Sequence, residues 1–170
     1  MELPARFNRF GGSTKLLGMK DEIPLFQATL DRLVHLLEAV PANLVDKKPR
    51  PEDWSCKEIA GHLIDSASNN HQRFTRLQQT ARLDFPAYVA EPWVAVEKPN
   101  GMEWGALLDL VKAYNLFILR LVQGVDDACL DHVWAIDGDE KTLAFLMRDY
   151  YRHLEWHSDH LEKRITELRG

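Results

Sequence analysis

Residues 148–165 read RDYYRHLEWHSDHLEKRI and contain three of the seven histidines of the chain within eight positions. Seam-forming residues recur here at intervals of three and four: Leu143, Leu146, Tyr150, His153, His157, His160, Arg164. At about 100° per residue, His157 lies about 40° and His160 about −20° from His153 around a helix axis. The segment therefore predicts a long helix whose three histidines face the interior of a helical bundle.

Three more amphipathic runs precede this helix. The first begins near Pro24 and ends before Pro41, and its apolar stripe is Phe26, Leu30, Leu33, Leu37. The second is capped by Asp53 or Ser55 and runs to about Arg82; Glu58, three residues after Ser55, completes a capping box. The third spans about residues 102–122, and the histidine-bearing fourth helix runs from about residue 142 to 169. These runs predict an all-α four-helix bundle.

The second and third predicted helices are joined by the long segment 83–101, which holds three prolines. Because Phe85, Tyr88 and Trp93 would be of little use in a solvated linker, we expect an ordered crossover loop, the kind of loop that often carries function. A turn at residues 137–138 and a small hairpin arm at 133–136 are also predicted. The chain is expected to form a single domain over residues 1–170, with an extended N-terminal segment at 1–20.

The composition excludes several classes of function. A formal net charge of −5, with Lys and Arg scattered along the chain, lacks the basic stripe of a nucleic-acid binder. No apolar stretch has the length of a membrane span, and the N-terminus lacks the apolar core of a secretory signal, so we expect a cytoplasmic protein. Cys56 and Cys129 fit no metal or redox spacing and are interpreted as packing residues.

The histidine seam has two interpretations. Buried neutral imidazoles need partners for both nitrogens, so three of them along one seam are costly unless a metal or a polar network satisfies them. Histidines at i and i+4 are a chelating pair that needs a third ligand from another helix, and His62 on the second helix is the best placed. The alternative is a hydrogen-bonded network with nearby polar groups: Asp65, Ser66, Asp149, Tyr151. His35, His71 and His132 are interpreted as surface or hydrogen-bonded residues.

The chain resembles a known family in two separated stretches. PEDWSCKEIAGHLIDSASNNHQRF, residues 51–74, followed by DYYRHLEWHSDHLEKRI, residues 149–165, is similar to the DinB/YfiT-like superfamily of four-helix bundles with a three-histidine metal site. The shared features are a Trp-Ser pair before the second helix, His-Leu-x-Asp-Ser within it, an aromatic crossover loop and H-x-x-x-H in the last helix. The resemblance covers about residues 20–168. Lys163 and Arg164 depart from it, because many relatives are less basic there.

The resemblance implies that His62, His153 and His157 are the metal ligands and that His160 supports them. A second frame, in which His157 and His160 ligate at i and i+3, is the alternative. Asp65, three residues after His62, either orients a ligand and moves a proton or is a solvated helix residue. Three nitrogen ligands suit nickel, zinc, iron or copper, so the identity of the divalent metal stays open.

The resemblance implies either of two activities. One is S-transfer that uses a low-molecular-weight thiol as cosubstrate, the second substrate entering past Tyr88 and Trp93; the other is metal-dependent hydrolysis. A non-catalytic, stress-associated metal-binding protein is the alternative outside enzymology. The predicted third helix carries more apolar residues than one face requires, which predicts a possible homodimer surface besides a small-molecule partner: Trp104, Leu107, Leu110, Val111, Tyr114, Phe117, Ile118.

Overall fold

The computed structural model describes residues 18–169. Its α-helices are α1 (Ile23–Glu38), α2 (Cys56–Leu77), α3 (Ala90–Glu97), α4 (Trp104–Gln123) and α5 (Leu143–Arg169), and its strands are β1 (Arg82–Asp84), β2 (Val133–Ile136) and β3 (Asp139–Thr142). Most of the predicted N-terminal segment lies outside the described residues, and its end begins a 3-10 turn at Met19–Glu22. No helix within residues 18–169 is both long and apolar enough to cross a bilayer.

The four long helices form the predicted bundle. Helix α1 packs against α4 and α5, and α2 packs against the same two helices, so α2 and α5 are neighbours. The buried residues of α5 repeat at intervals of three and four, as a helix with one core-facing side requires: Leu143, Leu146, Met147, Tyr150, Tyr151, Leu154, His157, Ser158, Leu161, Arg164, Ile165. The same face that carries the core of the bundle therefore carries part of the histidine seam.

Helix α2 begins as predicted and ends earlier than predicted. The side chain of Ser55 accepts a hydrogen bond from the backbone of Glu58, and the Glu58 carboxylate accepts one from the backbone of Ser55 at 2.8 Å. This capping box fixes the first turn of the helix that bears His62. The predicted end at Arg82 is wrong, because the helix stops at Leu77 and the chain turns to place Arg82 in a strand.

A small three-stranded sheet lies beside the bundle. Strands β2 and β3 form the predicted hairpin arm, and Asp137 and Gly138 at its turn both have positive φ, which suits a tight two-residue turn. Strand β1, from the segment predicted to be loop, pairs in parallel with β2. The His132 ring bonds the carbonyl oxygen of Leu77, so the hairpin is attached to the end of α2.

The crossover between α2 and α4 is more structured than predicted. Besides β1 it contains α3, whose Pro92 lies in the first turn, where a missing N–H costs nothing. Lys98 has a positive φ of 52° and ends this helix, and a 3-10 turn follows at Pro99–Gly101. The Asn100 side chain accepts a 2.7 Å hydrogen bond from the Ser55 hydroxyl, which holds the crossover against the start of α2.

Asp53 is not the cap of α2. Its carboxylate pairs instead with Arg50 at 2.9 Å and with the buried Arg164 of α5 at 3.1 Å. Arg164 was, with Lys163, the basic departure from the family pattern. It is only 4% exposed, so its charge needs the partner that the α1–α2 connection supplies. This ion pair is a structural link between that connection and the last helix.

Candidate metal centre

Three histidines from two helices converge between α2 and α5. His62 lies two turns into α2, and His153 and His157 lie one turn apart on α5. The Nε2 atom of His153 is 3.2 Å from that of His62 and 2.9 Å from that of His157. One potential ligand atom from each ring lies within 4.8 Å of the other two. The predicted ligand set is thus brought together in space by the packing of α2 on α5.

The spacing of these nitrogens suits a shared cation. Metal–nitrogen bonds of about 2.0–2.1 Å place two ligand nitrogens about 2.9 Å apart at a right angle and about 3.4 Å apart at the tetrahedral angle. The two nitrogen–nitrogen distances given above fall at and between these limits. A network of hydrogen bonds fits less well, because a neutral imidazole has one N–H and the Nε2 of His153 faces two other Nε2 atoms.

The electrostatics of the cluster favour uncharged rings. Burial lowers the pKa of His62 to about 4 and, with the neighbouring His62, lowers the pKa of His153 to about 3. Burial and the other histidines also hold the pKa of His157 well below its ordinary value. The three imidazoles are therefore neutral at pH 7, and each can offer a lone pair to a cation without first releasing a proton.

Aromatic packing, more than hydrogen bonding, orients the rings. The Trp54 ring lies 5.1 Å from His62, and the Trp156 ring lies 4.7 Å from His157, nearly perpendicular to it. The Nδ1 atom of His153 faces the Ser66 hydroxyl at 3.4 Å. Within residues 18–169, the buried Nδ1 atoms of His62 and His157 have no hydrogen-bond partner. The indole rings thus restrict the ligands where a second hydrogen bond usually does so.

His160 lies outside the cluster, although it shares the seam in sequence. Its ring packs against Trp156 at 4.6 Å, and it lines a small cavity with Arg50, Asp53 and Arg164. The predicted alternative frame, which pairs His157 with His160, therefore does not match the group of converging nitrogens. Sharing one face of α5 is therefore not sufficient to bring all three of its histidines to the same point.

Of the predicted polar network, Ser66 is the member whose hydrogen bond to the cluster the described structure gives. Tyr151 is buried and stacks on Phe26 at 4.0 Å. His71 contacts the Tyr114 hydroxyl at 3.1 Å, and His132 bonds to the end of α2, as their interpretation as hydrogen-bonded residues expects.

Asp65 is buried near the cluster, but within the described residues its carboxyl makes no hydrogen bond to any of the three histidines. It is 4% exposed, and its Oδ2 atom has no hydrogen-bond partner within the described residues. Burial and the adjacent Glu97 carboxyl of α3 raise the pKa of Asp65 to about 7. The solvated interpretation of Asp65 is therefore wrong, and a carboxyl with this pKa can take or give a proton near neutral pH.

The raised pKa of Asp65 predicts that it destabilises the fold in alkaline solution. The folded state binds this proton more tightly than the unfolded state, so its contribution to stability falls as the pH rises from about 4 through 7. We expect Asp65→Asn in metal-free protein to raise the free energy of unfolding by about 1–2 kcal/mol at about pH 8. The difference from the wild type should shrink toward zero near pH 4, measured by urea denaturation.

Asp53→Asn is the matched control, because its expected effect has the opposite sign. Hydrogen bonds from Arg50 and Arg164 hold the pKa of Asp53 well below its usual range, so the charged form stabilises the fold above the unfolded pKa. Asp53→Asn should therefore lower stability at about pH 8. Equal stability of Asp65→Asn and wild type at that pH would contradict the proposed burial of an acidic proton.

The aromatic residues of the crossover lie beside the cluster. The Tyr88 ring is 6.3 Å from the His62 ring, and the Trp93 ring is 5.0 Å from the Tyr88 ring. Trp93 is 40% exposed, so this pair extends from the histidines to solvent. The predicted route past these two residues is consistent with their positions.

Sequence reasoning missed two charged residues near the site. Glu97 was read as part of a loop, and its proximity to Asp65 follows from the packing of α3 on α2. Arg73 received no separate interpretation, yet it is only 7% exposed. A signal was present, since Arg73 falls on the same helical face as His62, eleven residues earlier.

Comparison with known proteins identifies the fold and the family. The sequence matches the DinB superfamily over residues 25–160. The chain is also similar to YfiT from Bacillus subtilis, described as a probable metal-dependent hydrolase with an unusual four-helix bundle topology; the TM-score is 0.78, the identity 16%, and the alignment covers 93% of this chain and 91% of that chain. At this identity the likeness establishes the shared fold. No curated protein matches the sequence significantly.

Proposed function

The chain belongs to the DinB superfamily, and on that premise we propose that it is a metal-dependent enzyme whose His62, His153 and His157 hold a divalent cation. The observation that carries the proposal is the convergence of three neutral imidazole nitrogens from two helices, with His62 and His157 buried and His153 half-buried. When bound, such a cation supplies the Lewis acidity that makes a thiol or a water molecule nucleophilic near neutral pH.

The surrounding residues give the site features of an enzyme. Asp65 can accept the proton that a thiol or water releases, because its pKa of about 7 matches neutral pH. Tyr88 and Trp93 line one side of the cluster and offer aromatic surface to a small substrate. A purely structural metal site would be closed by a fourth protein ligand, whereas the described cluster supplies three.

The leading reaction is transfer to a small thiol, as the family resemblance implies. In that reaction the thiol sulfur forms a bond to an electrophilic carbon of the second substrate, the leaving group departs with the bonding electrons, and the thiol proton passes to Asp65 or water. The second candidate is hydrolysis, which is favoured by the likeness to YfiT and its description as a probable hydrolase. Both reactions use the same three histidines and the same proton acceptor.

Reconstitution followed by paired assays tests the proposal. Untagged protein is stripped of metal and loaded separately with zinc, nickel or iron(II), because a histidine tag would bind these ions itself. Conjugation of 1-chloro-2,4-dinitrobenzene is followed with cysteine, coenzyme A and the low-molecular-weight thiols of bacteria, and p-nitrophenyl acetate reports hydrolysis. We expect metal-dependent thiol conjugation that disappears in His153→Ala and after chelation.

The outcomes separate the alternatives. Release of p-nitrophenol without any thiol requirement would support hydrolysis over transfer. Stoichiometric metal with no turnover in either assay would contradict the enzyme and support a non-catalytic metal-binding protein. Metal binding that persists in His153→Ala would remove that residue from the proposed ligand set.

A further inference from the structure

Arg73 is a buried cation that has no acidic partner within residues 18–169. It lies in the last third of α2 and is 7% exposed. Its Nη1 atom reaches the Asn70 side chain at 3.5 Å, and its buried Nε–H has no hydrogen-bond acceptor among the described residues. Burial lowers the pKa of Arg73, and the opposing influence comes from Tyr88, without any contribution from a carboxylate. The guanidinium therefore keeps its charge, and at least its Nε–H donor is unpaired among the described residues.

Such an arrangement is costly unless it serves a ligand. Arginine is almost never fully buried without a partner, since an uncompensated charge loses its hydration. The other buried arginine, Arg164, illustrates the usual solution, because Asp53 lies 3.1 Å from it. Arg73 is almost as deeply buried as Arg164, but it has no such carboxylate beside it among the described residues.

The orientation of the Arg73 guanidinium is fixed by an indole ring. Its central carbon lies 4.1 Å from the centre of the Trp134 ring, and Trp134 is itself held by a 2.7 Å hydrogen bond from its indole nitrogen to the Phe85 carbonyl oxygen. Stacking uses one face of the guanidinium plane and leaves its edge, where the N–H groups point, available for an acceptor.

The position of Arg73 links it to the histidine cluster. His62, Ser66, Asn70 and Arg73 follow one another at intervals of four, four and three, so they share one face of α2. Eleven residues separate the first from the last, about 16 Å along the helix axis, and the Arg73 side chain leans back toward the His62 end. Tyr88 lies between the two ends.

The ring contact and the electrostatics of the neighbouring groups place Tyr88 there. Its ring is 6.3 Å from that of His62, and its hydroxyl is close enough to Ser66 and Arg73 for these groups to shift its pKa. The polar face of α2 that runs from His62 to Arg73 therefore adjoins Tyr88 of the crossover. Asp65 and Glu97 also lie near Tyr88, but neither carboxyl pairs with Arg73 or shifts its pKa.

We propose that Arg73 binds a carboxylate group of the substrate, whose opposite, reacting end lies at the histidine cluster. The second half of this statement rests on the proposed function, and the first half does not. A planar guanidinium edge matches the two oxygens of a carboxylate, and its single charge balances that of a monoanion. The substrate class is thus a small, elongated carboxylic acid, and the distance along α2 limits its length.

Benzoate and its neutral analogue benzamide test the carboxylate site in metal-free protein. Because Arg73 stacks on Trp134, a ligand at the guanidinium edge should change the fluorescence of that indole, and Trp134→Phe identifies the signal among the other tryptophans. We expect saturable binding of benzoate and none of benzamide. Arg73→Met should weaken benzoate binding about 10-fold or more, and Arg73→Lys should weaken it less.

Arg76→Met is the matched control, since Arg76 lies one turn along the same helix over Phe85 at 5.6 Å and should leave benzoate affinity unchanged. Inorganic phosphate is the competing probe. Phosphate binding tighter than benzoate binding, or equal benzoate affinity in wild type and Arg73→Met with circular dichroism unchanged, would overturn the proposal.

The same measurements separate this proposal from the proposed function. Arg73-dependent benzoate binding in a protein that takes up no metal would support the carboxylate site while the metal-dependent enzyme fails. Metal uptake with turnover, together with benzoate affinity indifferent to Arg73, would refute the carboxylate site and leave the enzyme intact.

Discussion

Replacing His157 with alanine is expected to lower the affinity for a divalent cation by about 100- to 1000-fold, since one ligand of three is removed from a site whose total binding free energy is of order 10 kcal/mol. His157 is 2% exposed, and its Nε2 atom lies 2.9 Å from that of His153, which is itself 3.2 Å from that of His62. Isothermal titration of metal-stripped protein with zinc and with nickel measures the change. A thermal melt gives a second readout, because metal that binds the folded state raises the melting temperature of the wild type and should not raise that of the variant.

His160→Ala is the control for this experiment. His160 lies three residues further along the same helix, packs against the same Trp156 ring and stays outside the converging group. Its removal should leave the metal stoichiometry and affinity unchanged. Loss of metal in His160→Ala but not in His157→Ala would overturn the ligand assignment, and circular dichroism of both variants excludes unfolding as the cause.

Periodicity was sufficient to predict the bundle and the shared face of the three histidines of α5. The seam of α5 and the Ser55 capping box are local signals, because each depends on residues within a few positions of one another. His62 could be assigned to the same site only through the order and spacing of two distant motifs. Its ring meets those of His153 and His157 because α2 packs on α5, which is a long-range consequence of the fold.

The features that sequence could not predict depend on contacts between distant segments. Strand β1 has three residues and pairs with β2, so no local alternation of apolar residues marks it. Helix α3 contains Pro92, and a proline within a short apolar stretch favours a loop unless the first helical turn is recognised. The prolines of the crossover correctly predicted that α2 and α4 are separate helices. The prediction that the whole segment is a loop was wrong, because α3 lies within it.

Charged residues were the hardest to place. Asp53 and Arg164 lie more than a hundred positions apart, so a cap was the simplest local interpretation of Asp53. Arg73 looks like any solvent-facing residue of an amphipathic helix until Trp134 and the crossover cover it. The same crossover buries Asp65, whose pKa is the most strongly raised of the carboxyl groups near the histidines. The crossover thus determines the chemistry of a site whose candidate ligands it does not supply.

Contact between the crossover and α2 depends on a glycine next to His62. A Cβ atom at Gly61 would lie 2.5 Å from Cγ and 3.1 Å from Cβ of Pro99, whose ring cannot rotate away. Gly61→Leu should therefore push the Pro99–Gly101 turn off the helix and weaken the bond between Ser55 and Asn100. We expect a loss of about 3 kcal/mol or more in the free energy of unfolding, and a loss of about 1–2 kcal/mol for Gly61→Ala, in which better helix propensity offsets part of the clash.

Urea denaturation measures both losses, and hydrogen exchange locates them. Amide protection should fall in the crossover, residues 83–101, and stay nearly unchanged in α5, because the displaced turn contacts α2 and carries the aromatic side of the site with it. Gly105→Ala is the matched control: no atom of the described residues lies within 4 Å of a Cβ there, so alanine should be neutral or stabilising by up to about 1 kcal/mol. A Gly61→Ala variant as stable as the wild type would mean that the turn yields without cost. The crossover would then be only loosely held against the histidine-bearing helix.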